Sequence, residues 1–131
     1  MSQTNSLAAI GRLLLAVIFI FSGLGKIMAP EDTQGYIAAV GLPLPLLAYF
    51  VAVVVELGGG ILLVVGYQTR IVSLLIAAFT LATALIFHSN FADQNEMISF
   101  LKNISIVGGL LQVAAFGAGA LSFDARRLRI A

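Results

Sequence analysis

The sequence predicts an all-α integral membrane protein: one four-helix bundle over residues 1–131, with both termini in the cytoplasm. Three observations carry this. Of 131 residues 60% are hydrophobic and only 10% charged, against about 25% charged in an average soluble domain. Four apolar stretches have about the ~20 residues needed to cross ~30 Å of hydrocarbon. The arginines cluster at one set of flanks. A soluble fold of this size has no interior large enough for so much apolar surface, and the length suits a single domain.

The first span is read as Leu7–Met28, carrying Arg12 and Lys26. Its charge-free core, Leu13–Gly25, also has the length of a signal-peptide core, but Arg12 sits deep and Pro30 follows the candidate cleavage point after Ala29. Next comes a short interfacial helix, Thr33–Val40, stopped by Pro43 and Pro45. The second span, Leu46–Gly66, carries Glu56 and then Gly58-Gly59-Gly60. A tight turn, Tyr67–Arg70, leads to the charge-free third span, Ile71–Phe87. The connection His88–Ser99 precedes the fourth span, Phe100–Leu121, and a basic tail closes the chain.

Counting cations in the short flanks sets the expected orientation. Arg12, Arg70, Arg126, Arg127 and Arg129 fall on one side and Lys26 and Lys102 on the other. The arginine side is expected in the cytoplasm, with the acidic connections, bearing Glu31, Asp32, Asp93 and Glu96, facing outward.

Ionisable groups within a span cost a few kcal/mol each and usually face the bundle interior. Helical spacing gathers four stripes: Arg12, Phe19, Ser22, Gly23 and Lys26; Tyr49, Ala52, Glu56, Gly59/Gly60 and Leu63; Ser73, Ala77, Thr80, Ala84 and His88; Lys102, Ser105, Gly109, Gln112 and Phe116. All four are expected to face inward, since small residues allow close approach of helices in lipid. Counted from the helix ends, Glu56 is expected near the midplane, ~15 Å below Lys26 by helical rise. Lys26, Glu56, His88, Lys102 and Asn103 are therefore expected to form a polar network in the outer half, not a simple ion pair. The glycines after Glu56 either admit a neighbouring helix or weaken the helix so that it bends around a ligand. Lys26 and Lys102 also read as snorkelling anchors, and His88 as a polar cap.

Several chemistries are excluded. With no cysteine, thiol exchange and iron–sulfur ligation have no ligands. One histidine cannot supply bis-histidine haem ligation, and His88 with Glu56 makes a poor metal site, so no metal is expected. A net charge of +1 does not suit nucleic acid. No serine has a neighbouring His–Asp pair.

The fragments Arg12-Leu13-Leu14-Leu15, Phe19-Ile20-Phe21-Ser22-Gly23 with Lys26, and Glu56 with Gly59-Gly60 resemble the DoxX family of small bacterial membrane proteins. The resemblance continues through Gly66, Thr69-Arg70, Thr80 to His88, Lys102-Asn103, Gly108-Gly109 and Gly119-Ala120-Leu121-Ser122-Phe123-Asp124. It implies a multi-pass protein of the bacterial inner membrane. Members of the family are linked to redox assemblies, including a thiosulfate:quinone oxidoreductase subunit and a membrane complex recruiting superoxide dismutase and a sulfurtransferase.

The expected function is thus a small subunit or anchor of a quinone-linked membrane redox system. It is an accessory protein more than a self-sufficient enzyme, with a quinone as possible cofactor and with lipid and a redox enzyme as partners. A quinone carbonyl takes hydrogen bonds from Lys or His, and a membrane carboxylate handles the proton. Two alternatives stay open: an oligomeric transporter or channel for a small solute or proton, and a passive scaffold.

Overall fold

The computed structural model describes residues 2–130, with the side chains of Arg129 and Ile130 outside the described set. The described residues form helices α1 (Gln3–Met28), α2 (Pro30–Ala39), α3 (Pro45–Val53), α4 (Gly59–Val65), α5 (Thr69–Phe87), α6 (Gln94–Phe116) and α7 (Phe123–Ile130). Residues Val54–Gly58 join α3 to α4 as a π-helical turn, so the second span is one continuous helix with a bulge at Glu56. Four helices are long and apolar enough to cross a membrane: α1, the composite Pro45–Val65, α5 and α6. Their outer surfaces are apolar, as lipid contact requires; Phe21 is 79% exposed and Leu14 68%.

Local chemistry sets the helix ends. Ser2 caps α1 by accepting from the Asn5 amide. Pro30 and Pro45 occupy first-turn positions of α2 and α3, where their missing N–H costs nothing. Gly66 ends α4 at φ 70°, a left-handed conformation that favours glycine. Helix α6 departs from the expected Phe100–Leu121. Asp93 caps it by accepting from the Asn95 amide, so helix forms through the polar Gln94-Asn95-Glu96, and Gly117 at φ 82° ends it early. Similarly, α2 begins at Pro30 rather than Thr33 because proline is already set for a helical first turn.

Helices α1 and the second span pack antiparallel at close range. A Cβ on Gly60 would lie 2.7 Å from Ile20 Cγ1 and 3.2 Å from the Ile20 backbone nitrogen, and one on Gly23 would lie 3.0 Å from the Leu57 nitrogen. The core is Ala16, Phe19, Leu63, Val72, Ile76, Ala77 and Leu110. Helix α6 packs chiefly along α5, and its Gly109 faces Leu15 of α1. The glycine pair of the fourth span therefore does not mediate packing on the second span.

Three of the four expected inward stripes are buried or half-buried. The fourth is not: Lys102, Ser105, Gln112 and Phe116 are exposed, and Asn103, Ile106 and Leu110 face the bundle instead. Ser105 can face outward cheaply because its hydroxyl donates to the Leu101 carbonyl one turn back.

At the α7 end, the turn after α4 is clamped by the chain after α6. Buried Arg12 donates from Nη1 to the Ala118 carbonyl at 3.2 Å and from Nη2 to the Leu121 carbonyl at 2.7 Å. Asp124 accepts from the Gln68 and Thr69 amides at 2.8 and 2.9 Å, capping α5 from a distant position. Its own amide donates to the Gly66 carbonyl. Arg127 lies over the Tyr67 ring, 5.4 Å from the centroid.

Candidate functional site

The site begins with the meeting of α1 and the π turn. Lys26 Nζ lies 2.9 Å from Glu56 Oε2 and 3.1 Å from Oε1, and it also donates to Ser22 Oγ at 2.9 Å. The expectation of a gap between Lys26 and Glu56 is thus corrected. It assumed that α1 and α3 end at the same level. The register Gly60 on Ile20 and Gly23 on Leu57 shows otherwise. One turn beyond Gly23, Lys26 comes level with the π turn, and α3 runs on past the end of α1 alongside α2.

The π turn also aims the carboxylate. A π turn inserts one residue into the i→i−4 pattern and bends the helix locally. Below it, α4 and the turn itself pack chiefly on α1 and also touch α5; above it, α3 packs on α2 and α1. Of the two readings of Gly58-Gly59-Gly60, close approach holds for Gly59 against Ile76 and Gly60 against Ile20, while Gly58 has open space around it.

Among α1, α2, α3, α5 and α6 lies a cavity of about 670 Å³. Lys26 and Glu56 stand at its floor with Ser22 and Ala52; Phe19, Val51, Phe79 and Ile106 are among its apolar walls. Leu47 and Val51, 58% and 48% exposed on the lipid-facing side of α3, border it too, which gives it a side open to the bilayer. At the α2 end, Tyr36 stacks on Phe87 with centroids 5.3 Å apart, tying α2 to α5 over the mouth. Leu44, held between two prolines at φ 53°, lines the same mouth. Glu56 is 7% exposed.

The other candidates divide. His88 and Asn103 line the cavity. His88 pairs through Nδ1 with Glu96 Oε2 at 3.3 Å, not with Glu56. Asn103 makes no side-chain hydrogen bond among the described residues. Lys102 is exposed and does not line the cavity, so it leaves the site: one residue along a helix is a rotation of ~100°, and Asn103 takes the inward position. The single network expected from sequence is instead two separate pairs, Lys26–Glu56 and His88–Glu96, at different depths.

Arg12 was expected as a topology determinant, yet it is 3% exposed and bonded to carbonyls, so it also holds the α7 end together. Arg70, Arg126 and Arg127 are exposed; the side chain of Arg129 lies outside the described residues. Sequence reasoning missed three features: the π turn, the Asp124 cap, and the bond from the Tyr49 hydroxyl to the Lys26 carbonyl at 3.1 Å, which fixes the end of α1. The glycine run beside Glu56 was the only signal of the first.

Comparison with known proteins agrees with this architecture. The DoxX family model matches residues 7–89. The chain is similar to the inner membrane protein YqjF of Escherichia coli (strain K12), 42% identical over 118 residues, covering 88% of this chain and 87% of YqjF. It is similar to the inner membrane protein YphA of the same organism, 41% identical over 125 residues, covering 92% and 89%. A third relative, from Bacillus subtilis (strain 168) and named "Putative oxidoreductase CatD", is 42% identical over 75 residues, covering 57% of this chain and 54% of its own. No solved structure matches the chain.

Proposed function

We propose that this chain, which belongs to the DoxX family and is a multi-pass inner-membrane protein, binds a quinone or similar lipid-soluble molecule in this cavity. It serves a membrane redox system as a small subunit or anchor, with the redox chemistry completed by an enzyme partner. The α7 end, with its exposed arginines, faces the cytoplasm.

The observation that carries the reading is the Lys26–Glu56 pair at the floor of an apolar cavity with a side open to lipid. Ligand sites are typically apolar chambers of ~300–1,000 Å³ with a few convergent polar groups. The pair is neutral as a whole, which suits an uncharged head group, and the lipid-facing opening suits a molecule that arrives from the bilayer. Glu56 is placed to exchange a proton when a bound ring changes oxidation state, and His88 with Glu96 at the mouth offers a route to water. The name of the Bacillus subtilis relative points the same way.

The test is thermal unfolding of the purified protein in detergent with short-chain ubiquinone and menaquinone analogues. The reading expects at least one to raise the midpoint in a saturable manner. No rise with either would overturn it.

A further inference from the structure

A second cavity, of about 620 Å³, opens at the α7 end, where the start of α5, the end of α6 and α7 meet. Arg70 of α5 and Arg127 of α7 line it. Neither side chain makes an ion pair or a hydrogen bond among the described residues, yet each is held in place. Arg70 lies along Gly117, where a Cβ would come within 3.3 Å of Nε and 3.4 Å of Nη2, so the glycine leaves room for the guanidinium. Arg127 rests its face on the Tyr67 ring, a contact that leaves the N–H edge of the fork free. The remaining charged group of the lining is Asp124, which accepts from the Gln68 and Thr69 amides. Two guanidiniums against one carboxylate leave the cavity one positive charge in excess.

Phe116 and Ile71 stand at the ends of the apolar spans, and with Leu128 they line the same cavity with exposed side chains. The cavity therefore straddles the level at which hydrocarbon gives way to head groups. A phospholipid matches that division: its phosphate oxygens take paired hydrogen bonds from an arginine fork, and its acyl chains cover the apolar side. The ammonium of a zwitterionic head group would stand beside the same two guanidiniums, so the excess charge favours a lipid whose head group is negative overall. Inorganic phosphate satisfies the arginines but leaves the apolar side uncovered. We infer that this cavity is a binding site for an anionic phospholipid of the leaflet at the α7 end, with Arg70 and Arg127 gripping its phosphate. The site is separate from the Lys26–Glu56 cavity and does not depend on what that cavity binds.

The experiment is native mass spectrometry of the purified protein in detergent, with phosphatidylglycerol and phosphatidylcholine of the same acyl chains at equal concentration. Phosphatidylglycerol is expected to be retained at least about tenfold more strongly. Inorganic phosphate is expected to displace it no better than chloride at the same ionic strength. In Arg70→Gln with Arg127→Gln the preference is expected to fall below about threefold, while Arg126→Gln, exposed on α7 but outside the lining, keeps it. Equal retention of the two lipids would overturn the inference, as would a preference undiminished in the double variant. Specific displacement by inorganic phosphate would overturn it in favour of a site for free phosphate. An equal loss in Arg126→Gln would overturn it in favour of a diffuse basic surface. If the double variant does not fold, Arg70→Gln and Arg127→Gln decide singly: each is expected to lower the preference, and no change in either would overturn the inference.

Discussion

Both carboxylate oxygens of Glu56, on the π turn of the second span, reach the Lys26 ammonium of α1, 2.9 and 3.1 Å away. The side chains are 10% and 26% exposed, respectively, so each charge depends on the other. Removing one member of a buried pair costs ~3–5 kcal/mol because the partner is left uncompensated. Glu56→Gln is therefore expected to destabilise by about 3 kcal/mol, the low end, since Lys26 keeps Ser22 and some exposure. The double change Lys26→Met with Glu56→Gln is expected to cost less than the sum of the singles. Thermal unfolding in detergent measures both; a midpoint for Glu56→Gln equal to that of exposed Glu31→Gln would mean that the pair contributes nothing.

The glycine run predicts a graded series. Gly60→Ala places a methyl group against the Ile20 backbone, which cannot yield, so a loss of ~1–3 kcal/mol is expected. Gly59→Ala meets side-chain atoms alone, Ile76 Cδ1 at 2.7 Å and Cγ1 at 2.9 Å from the new carbon, and should cost less than a clash with backbone. Gly58→Ala has open space and should be neutral or stabilising by up to ~1 kcal/mol. Unfolding midpoints in the order Gly58→Ala, Gly59→Ala, Gly60→Ala, highest first, check the close approach; three equal midpoints would contradict it.

The Asp124 cap predicts a pH dependence. Partial burial pushes its carboxyl up, but hydrogen bonds from Thr69 and Gln68, together with the nearby Arg127 charge, outweigh this and hold it below its ordinary value. A depressed carboxyl stabilises the fold above the unfolded value of ~3.9 and loses that contribution as pH falls through the lower, folded value. Asp124→Asn should thus cost ~1 kcal/mol at neutral pH. The gap between wild type and variant should close only as pH falls below ~4. Midpoints of the two proteins from pH 7 down to pH 3 measure this.

Arg12 spans two carbonyls of the closing loop with its fork of donors. A lysine offers a point charge on a flexible stem and cannot reproduce that geometry. Arg12→Lys is expected to destabilise by about 2 kcal/mol, from one hydrogen bond to a charged group lost. Limited proteolysis after Arg126 or Arg127 should speed up in the variant, since the segment after α6 loses its anchor; an unchanged rate would place the anchor elsewhere.

These residues also show how far the sequence could be read. Spans and three of the four stripes, including the faces that carry Lys26 and Glu56, follow from hydrophobic runs and helical spacing, because face is a one-dimensional property of a helix. Relative level is not. That α3 overshoots the end of α1 depends on the path of residues 29–44, and the sum of rises from helix ends misses it. The π turn escaped for a related reason, since one inserted residue leaves no compositional trace beyond nearby glycines. Helix α6 was misread because the rule that polar residues face inward fails when a serine satisfies itself and a lysine near a helix end snorkels.

Binding of a lipid-soluble redox ring in the cavity above Lys26 and Glu56 is directly measurable, because the chain lacks tryptophan. A single tryptophan at Val51, on the cavity wall, and another at Leu75, 63% exposed and not among the cavity-lining residues, give two isolated reporters. In nanodiscs titrated with a short-chain ubiquinone, Val51→Trp fluorescence is expected to be quenched along a saturating curve that Glu56→Gln shifts, while Leu75→Trp is quenched only linearly by ligand dissolved in the bilayer. Linear quenching of the same slope at both positions would contradict the claim.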